Sequence, residues 1–253
     1  MTGTVYLVGA GPGAPDLLTL RAARLLERAD IVFFDALVHP ETVALAARAE
    51  KIAVGKRCGR YATAQRFINK RLIDAARKHA VVVRLKGGDP LLFGRAQEEL
   101  DALHAAGIAC EIAPGISAAF AASAALGVSL TERGLARSVA FATPRIGEGQ
   151  AASDWADAVL AADTAALYMA GGHAREIAAQ LIARGKPAST PVMIVENASL
   201  PSQREHALTL GELAVEAPQL GPGPALLLLG APYARCLATR ESAPRLRSAA
   251  SSR

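Results

Sequence analysis

Five short segments of the chain hold residue types that can do chemistry, and each follows an apolar, strand-like run. The first, Gly9-Ala10-Gly11-Pro12-Gly13-Ala14-Pro15, fits the loose dinucleotide pattern G-x-G-x-x-A, with Asp30 or Asp35 available as the acidic ribose partner. However, prolines flank Gly13 and helical patterning starts only near Asp16, too late for a pyrophosphate to rest on a helix N-terminus directly after the strand. A tight loop that offers flat backbone to a ligand is the better reading. The second segment is Asp35, directly after Ile31-Val32-Phe33-Phe34, where a carboxylate can accept a proton or cap a following helix. In the third, Val54-Gly55-Lys56-Arg57 puts cations at another strand end, with a solvated turn as the plain alternative to chemistry.

The fourth segment, Arg84-Leu85-Lys86-Gly87-Gly88-Asp89-Pro90, runs on into Leu91-Leu92-Phe93-Gly94-Arg95 and is specific. Its paired glycines remove both β-carbons where strand becomes loop, so that backbone can approach a ligand, and Asp89 can accept ribose or ammonium hydrogen bonds. The fifth, Ala113-Pro114-Gly115-Ile116-Ser117-Ala118, offers Ser117 as a helix cap or a ligand contact.

To converge, these segments need a scaffold. Short apolar runs alternate with amphipathic helical patterns in the first half, predicting parallel strands at Thr4–Val8, Ile31–Phe34, Lys51–Val54, Ala80–Leu85 and Ala109–Ile112. Helices are expected at Leu17–Ala29 and Thr63–His79, with another at Ile116–Leu126 linking the halves. In such sheets ligands bind beyond the carboxyl ends of the strands, where all five segments stand. The second half gives strands at Ser138–Ala142, Ala165–Met169, Val192–Glu196, Glu205–Leu210 and Ala225–Leu229. Little helix separates the last three, which predicts an antiparallel portion. The fold class is therefore α/β. The segment 233–253, rich in Ala, Arg and Ser, reads as a disordered tail.

Bulk properties narrow the function. The 253 residues are 51% hydrophobic, enough for one large or two ordinary cores. No run approaches a membrane span and no cleavable signal precedes the first strand, so a cytoplasmic protein is expected. Cys58, Cys110 and Cys236 are odd in number and far apart, and the five histidines never fall at ligand spacing, so free thiols and no metal are expected. A net charge of +5 favours anionic partners. With only 4% aromatic residues the chain lacks stacking platforms for nucleic acid, and an anionic small molecule accounts for the charge equally well.

Taken in order and at these spacings, Val8-Gly9-Ala10-Gly11-Pro12-Gly13, Leu17-Leu18-Thr19-Leu20-Arg21-Ala22, Val54-Gly55-Lys56-Arg57, Val83 to Pro90, and Leu130-Thr131 with Arg133 resemble the tetrapyrrole methylase family over about residues 4 to 230. The Gly-Lys-Arg turn resembles its members that act on uroporphyrinogen III. The resemblance implies two α/β domains, 1–114 and 115–232, with S-adenosylmethionine in the cleft between them, and a homodimer. It implies cofactor contacts from Pro12, Gly87, Gly88, Asp89 and Leu92, from Ser117 and Ala118, and from Met169, Ala198 and Ala225. It makes Asp35 the proton acceptor and Lys56 the donor. On the same resemblance Arg95 and Arg133 match positions that face the tetrapyrrole, where Arg95 is offered as a second possible base. The implied reaction is two successive C-methylations of uroporphyrinogen III, giving precorrin-2 and S-adenosylhomocysteine on the way to sirohaem or cobalamin. Larger relatives carry a dehydrogenase and ferrochelatase region ahead of the methylase; with a first strand at Thr4, methylation alone is expected here.

The chain departs from the family pattern at Ala14, Tyr61, Ala96-Gln97, Thr143-Pro144-Arg145 and Ala170. Two other readings stand beside this one. A methylase of a later precorrin or cobalt-precorrin would share fold and cofactor. A nicotinamide dehydrogenase would rest on Gly9 to Ala14 and an acidic partner alone and leave Gly-Gly-Asp-Pro unexplained.

Overall fold

The computed structural model describes residues 2–54, 62–146 and 153–242. The chain divides into two compact units, Met1–Ala121 with Ala198–Pro201, and Ala122–Asn197 with Ser202–Arg253.

The first unit runs β1 (Thr4–Gly9), α1 (Leu20–Arg28), β2 (Ile31–Phe34), α2 (Pro40–Ala44), β3 (Glu50–Ala53), α3 (Ala62–Ala76), β4 (Val81–Lys86), α4 (Ala96–Ala105) and β5 (Ala109–Ala113). All five strands are parallel, in the order β3-β2-β4-β1-β5. Alternation along each strand feeds two cores. Val8, Val32, Val83 and Leu85 pack with Ala22, Leu25 and Leu26 of α1. Val5, Leu7, Phe33 and Val82 face the other way, against Ile68 and Leu72 of α3 and Leu103 of α4. A buried leucine contributes roughly 1.5–3 kcal/mol, so these two layers hold the sheet between helices. From β1 the chain crosses toward β2, and from β4 it crosses the other way toward β5. The adjacent ends of β1 and β4 are therefore a switch point, where an open α/β sheet leaves a crevice.

In the second unit, α5 (Ala118–Leu126), in which the chain leaves the first unit, is followed by β6 (Val139–Ala142), α6 (Trp155–Ala161), β7 (Thr164–Leu167) and α7 (Ala174–Ala183). After these come β8 (Pro191–Glu196), β9 (Arg204–Thr209), α8 (Leu210–Val215), β10 (Ala225–Gly230) and α9 (Ala234–Ser242). The strand order is β6-β7-β10-β8-β9. Only β6 and β7 are parallel, and β7-β10, β10-β8 and β8-β9 are antiparallel, as the short connections among the last strands predict. Leu167, Ile194, Leu227 and Leu229 bury against Trp155, Ile177, Leu181 and Leu213. At the start of α8, Thr209 and Glu212 form a reciprocal capping box.

Three sequence expectations are corrected. Helix α1 starts at Leu20 and not Leu17, because a single 3-10 turn at Pro15–Leu17 and an extended Leu18 intervene before the Thr19 hydroxyl accepts from Ala22 N–H at 3.1 Å. Strand β7 stops at Leu167, and Met169 lies past it in the left-handed region at φ +55°. Finally, Ala234–Ser242, expected without structure, is helical, and its Arg235 binds Glu132 at 2.6 Å.

Candidate functional site

Three strand-end loops of the first unit meet backbone to backbone. Gly88 N–H donates to Gly11 O at 2.7 Å, Gly11 N–H donates back to Gly88 O at 3.2 Å, and Ala10 N–H donates to Lys86 O at 2.7 Å. The loops after β1 and β4 are thus laced together at the switch point. The loop after β5 closes on both. A β-carbon on Gly115 would fall 2.2 Å from Gly88 O and 2.8 Å from Gly9 Cα, and one on Gly9 would fall 2.5 Å from Gly115 Cα. No side chain fits there, which is the physical reason for glycine at both positions. Gly88 differs: at φ +67° its β-carbon would meet nothing within 4 Å, so its bare face is open.

Asp89 is the brace of this junction. Its Oδ1 accepts from Leu91 N–H at 2.8 Å and its Oδ2 from Gly115 N–H at 2.9 Å. The carboxylate expected to meet a ligand thus also braces the β4 loop through Oδ1 and ties it to the β5 loop through Oδ2. Leu92 N–H donates to Asp89 O at 3.3 Å, and Ser117 is buried just ahead of Ala118, the first residue of α5. Pro12 sits half-buried in the β1 loop. Ala198 is buried in the short return segment, where Ala14 N–H donates to Ser199 Oγ at 3.0 Å. The structure therefore gathers Pro12, Gly87, Gly88, Asp89, Leu92, Ser117, Ala118 and Ala198 into the first unit. In the second unit Met169 and Ala225 occupy one end of the sheet. Ala225 pairs with Glu196 across β10 and β8, and a β-carbon on Gly171, two residues past Met169, would lie 3.1 Å from Ala225 Cβ.

Asp35 does not cap a helix: α2 begins only at Pro40, after His39. Instead its Oδ1 accepts from Arg84 NH2 at 2.6 Å, with the Asp35 side chain 29% exposed. Arg95 begins α4 at φ +55°, and its Nε and NH2 each reach the Glu98 carboxylate at 2.7 Å. Those bonds push the guanidinium above its ordinary range and hold Glu98 below the usual carboxylate value. Arg95 therefore keeps its charge, with its Nε–NH2 edge held by Glu98. Arg133 is exposed on the turn closed by Glu132 N–H to Ala136 O at 2.8 Å. Lys56 and Tyr61 lie outside the described residues.

Sequence reasoning missed the charges beneath Asp35. Arg84 and Lys86 share one face of β4, and Glu99 of α4 receives both: Arg84 Nε at 3.0 Å and Lys86 Nζ at 3.0 Å. Burial opposes the Arg84 charge, but Asp35 and Glu99 outweigh it and raise its pKa. Burial and then neighbouring Arg84 lower that of Lys86. The signal was present in the alternation of Arg84 and Lys86 with apolar residues in a strand buried on both faces. Cys110 and Cys236 carry free thiols, with burial pushing Cys110 up to about 11. No group of three His, Cys, Asp or Glu among the described residues could hold a metal, and no described helix is long and apolar enough to cross a membrane.

The α1 start at Leu20, well past Gly9, leaves no helix N-terminus for a pyrophosphate and argues against the dinucleotide reading. Comparison with known proteins agrees. The family model for tetrapyrrole (corrin/porphyrin) methylases matches residues 4–214. The chain belongs to that family. Among solved structures, a uroporphyrin-III C-methyl transferase from Thermus thermophilus complexed with S-adenyl homocysteine superposes with a TM-score of 0.81 at 40% identity, covering 92% of this chain and 100% of that one. A cobalt precorrin-4 methyltransferase gives a TM-score of 0.74 at 26% identity over 90% of this chain and 94% of that one. Siroheme synthases of Psychrobacter sp. (strain PRwf-1) and Azotobacter vinelandii are 45% and 46% identical over 90% of this chain. The chain spans about half the length of these curated relatives, 47% and 50%.

Proposed function

We propose that this chain methylates carbons of uroporphyrinogen III twice, with S-adenosylmethionine as donor, giving precorrin-2 and S-adenosylhomocysteine. The observation that carries the reading is the match along the full length of the Thermus methyl transferase bound to S-adenyl homocysteine, at 40% identity. The residues fit that cosubstrate. Gly88 leaves an open, side-chain-free backbone face at the switch point, and Asp89 holds the neighbouring loop against it. Pro12, Gly87, Leu92, Ser117, Ala118, Met169, Ala198 and Ala225 are the further contacts we assign to it.

The donor's sulfonium supplies an activated methyl group, so the protein has to place a ring carbon in line and remove one proton for each methyl added. Asp35, partly exposed and gripped by Arg84, is positioned to accept that proton, with Lys56 as the donor. The acetate and propionate rim of the macrocycle calls for cationic forks. Arg95, held charged, and exposed Arg133 supply them. The free thiols fit a cytoplasmic, reducing compartment, and the same reading carries a homodimer. The test is purified chain, uroporphyrinogen III and donor labelled in its methyl group. Two labels per macrocycle support the assignment, whereas label entering only a later precorrin would move it to a sister enzyme.

A further inference from the structure

The charges behind Asp35 form a connected, enclosed chain. Arg84 uses three of its nitrogens: NH2 to Asp35 Oδ1 at 2.6 Å, Nε to Glu99 Oε1 at 3.0 Å, and NH1 to Leu85 O at 3.3 Å. Glu99 receives Lys86 Nζ on Oε2 at 3.0 Å and Gln65 Nε2 on Oε1 at 3.1 Å. Gln65 also donates to Asn69 Oδ1 at 3.0 Å, and Asn69 Nδ2 donates to Glu98 O at 3.1 Å. Helices α3 and α4 and strand β4 thus all close on one carboxylate. The side chains of Glu99, Arg84 and Lys86 are 0%, 3% and 4% exposed, so the chain reaches solvent at Asp35.

Two cations and two anions make the set formally neutral, yet stability is a poor reason for it. Well-packed apolar side chains of like volume often do as well in a core. What a fully bonded set provides that apolar groups cannot is a fixed guanidinium orientation. With its Nε and NH1 held, Arg84 presents NH2 to Asp35 in one geometry.

We infer that Glu99 is a positioning residue for methyl transfer, fixing Arg84 and, through it, the carboxylate of Asp35. This rests on the reading of Asp35 as the proton acceptor. The Glu99 side chain is fully enclosed, so its effect on the reaction is expected to run through Arg84 to Asp35.

The experiment is a double-mutant cycle on the full chain, with kcat, KM for uroporphyrinogen III and S-adenosylhomocysteine affinity measured for each variant. Glu99→Gln, which keeps the size but drops the charge and turns one of the two acceptor oxygens into an N–H donor, should lower kcat about ten- to a hundredfold, the scale of a small misplacement of a reacting group. KM and product affinity should stay within about twofold, as expected for an interaction that matters in the transition state. In an Asp35→Asn background Glu99→Gln should then have no further effect on kcat. Should Glu99→Gln fail to fold, Glu99→Asp, which keeps the charge and withdraws it by one methylene, is read in the same two backgrounds.

An equal kcat loss in both backgrounds, or losses in KM and affinity that track kcat, would mean that Glu99 is merely structural and would overturn the inference while leaving Asp35 in its role. Unchanged kcat in Asp35→Asn itself would instead remove Asp35 as proton acceptor, and this inference with it.

Discussion

Alanine at Gly88 and alanine at Gly115 should fail in opposite ways, though both glycines sit in the same junction. In the folded protein a β-carbon on Gly88 meets nothing within 4 Å, so the substitution costs only the left-handed backbone at φ +67°. That is about 1–2 kcal/mol, or a fall in Tm of roughly 2–8 °C for a chain of this size. The space it fills, however, is the open face assigned to the donor. A methyl group pressed into a well-packed contact costs about 1–3 kcal/mol, which is roughly a five- to 150-fold loss of S-adenosylhomocysteine affinity. Gly115→Ala instead drives its β-carbon to 2.2 Å from Gly88 O and 2.8 Å from Gly9 Cα, both backbone atoms that cannot swing aside as the end of a side chain can. The loops must separate, and a stability loss of about 3 kcal/mol or more is expected. Thermal denaturation and calorimetric titration with S-adenosylhomocysteine read the two effects separately. A Gly88→Ala protein that binds the product as tightly as the parent would refute the assignment of that face.

Asp89→Ala deletes two charge-assisted bonds to backbone N–H groups and should cost about 2–3 kcal/mol by denaturant titration, along with product affinity, because the β4 and β5 loops lose their tie. Unchanged affinity would limit Asp89 to structure. Arg133→Ala should raise KM for the tetrapyrrole and leave product affinity alone, whereas equal losses in both would mark Arg133 as a turn residue. Glu196 is enclosed, and although burial opposes its charge, bonds from His206, Gly221 and Arg204 hold its pKa below the ordinary 4.5. Its contribution is therefore present above about pH 4.5 and lost as pH falls through the depressed value. Unfolding free energy of the parent should drop more steeply than that of Glu196→Gln on acidification, and parallel curves would contradict this.

Much of the scaffold was legible because strands buried on both faces are written mainly in apolar residues. Ile31–Phe34, apolar throughout, could hardly be anything else, and all ten strands among the described residues lie within two residues of where the pattern puts them. Boundaries slipped where local chemistry overrode the pattern. The leucines at 17 and 18 continue the periodicity of α1, but Pro15 and the Thr19 cap decide where the helix starts. The Gly-Gly-Asp-Pro motif was readable as a place where backbone comes close to something. That the nearest thing is backbone, Gly9 and Gly115, depends on which loops adjoin in the sheet, and spacing does not carry that information. Glu99 was hidden for the same reason. On its helix it looks like any surface glutamate, and only the meeting of α3, α4 and β4 turns it into the receiver of two buried cations.

Central to all of this is the claim that the glycine junction at the β1–β4 switch point is shaped for an adenosyl sulfonium donor and not for a dinucleotide. The most direct measurement is calorimetric titration of the purified chain with S-adenosylhomocysteine and, separately, with NAD. Saturable binding of the first and no heat from the second is the predicted result; binding of NAD with none of S-adenosylhomocysteine would contradict it.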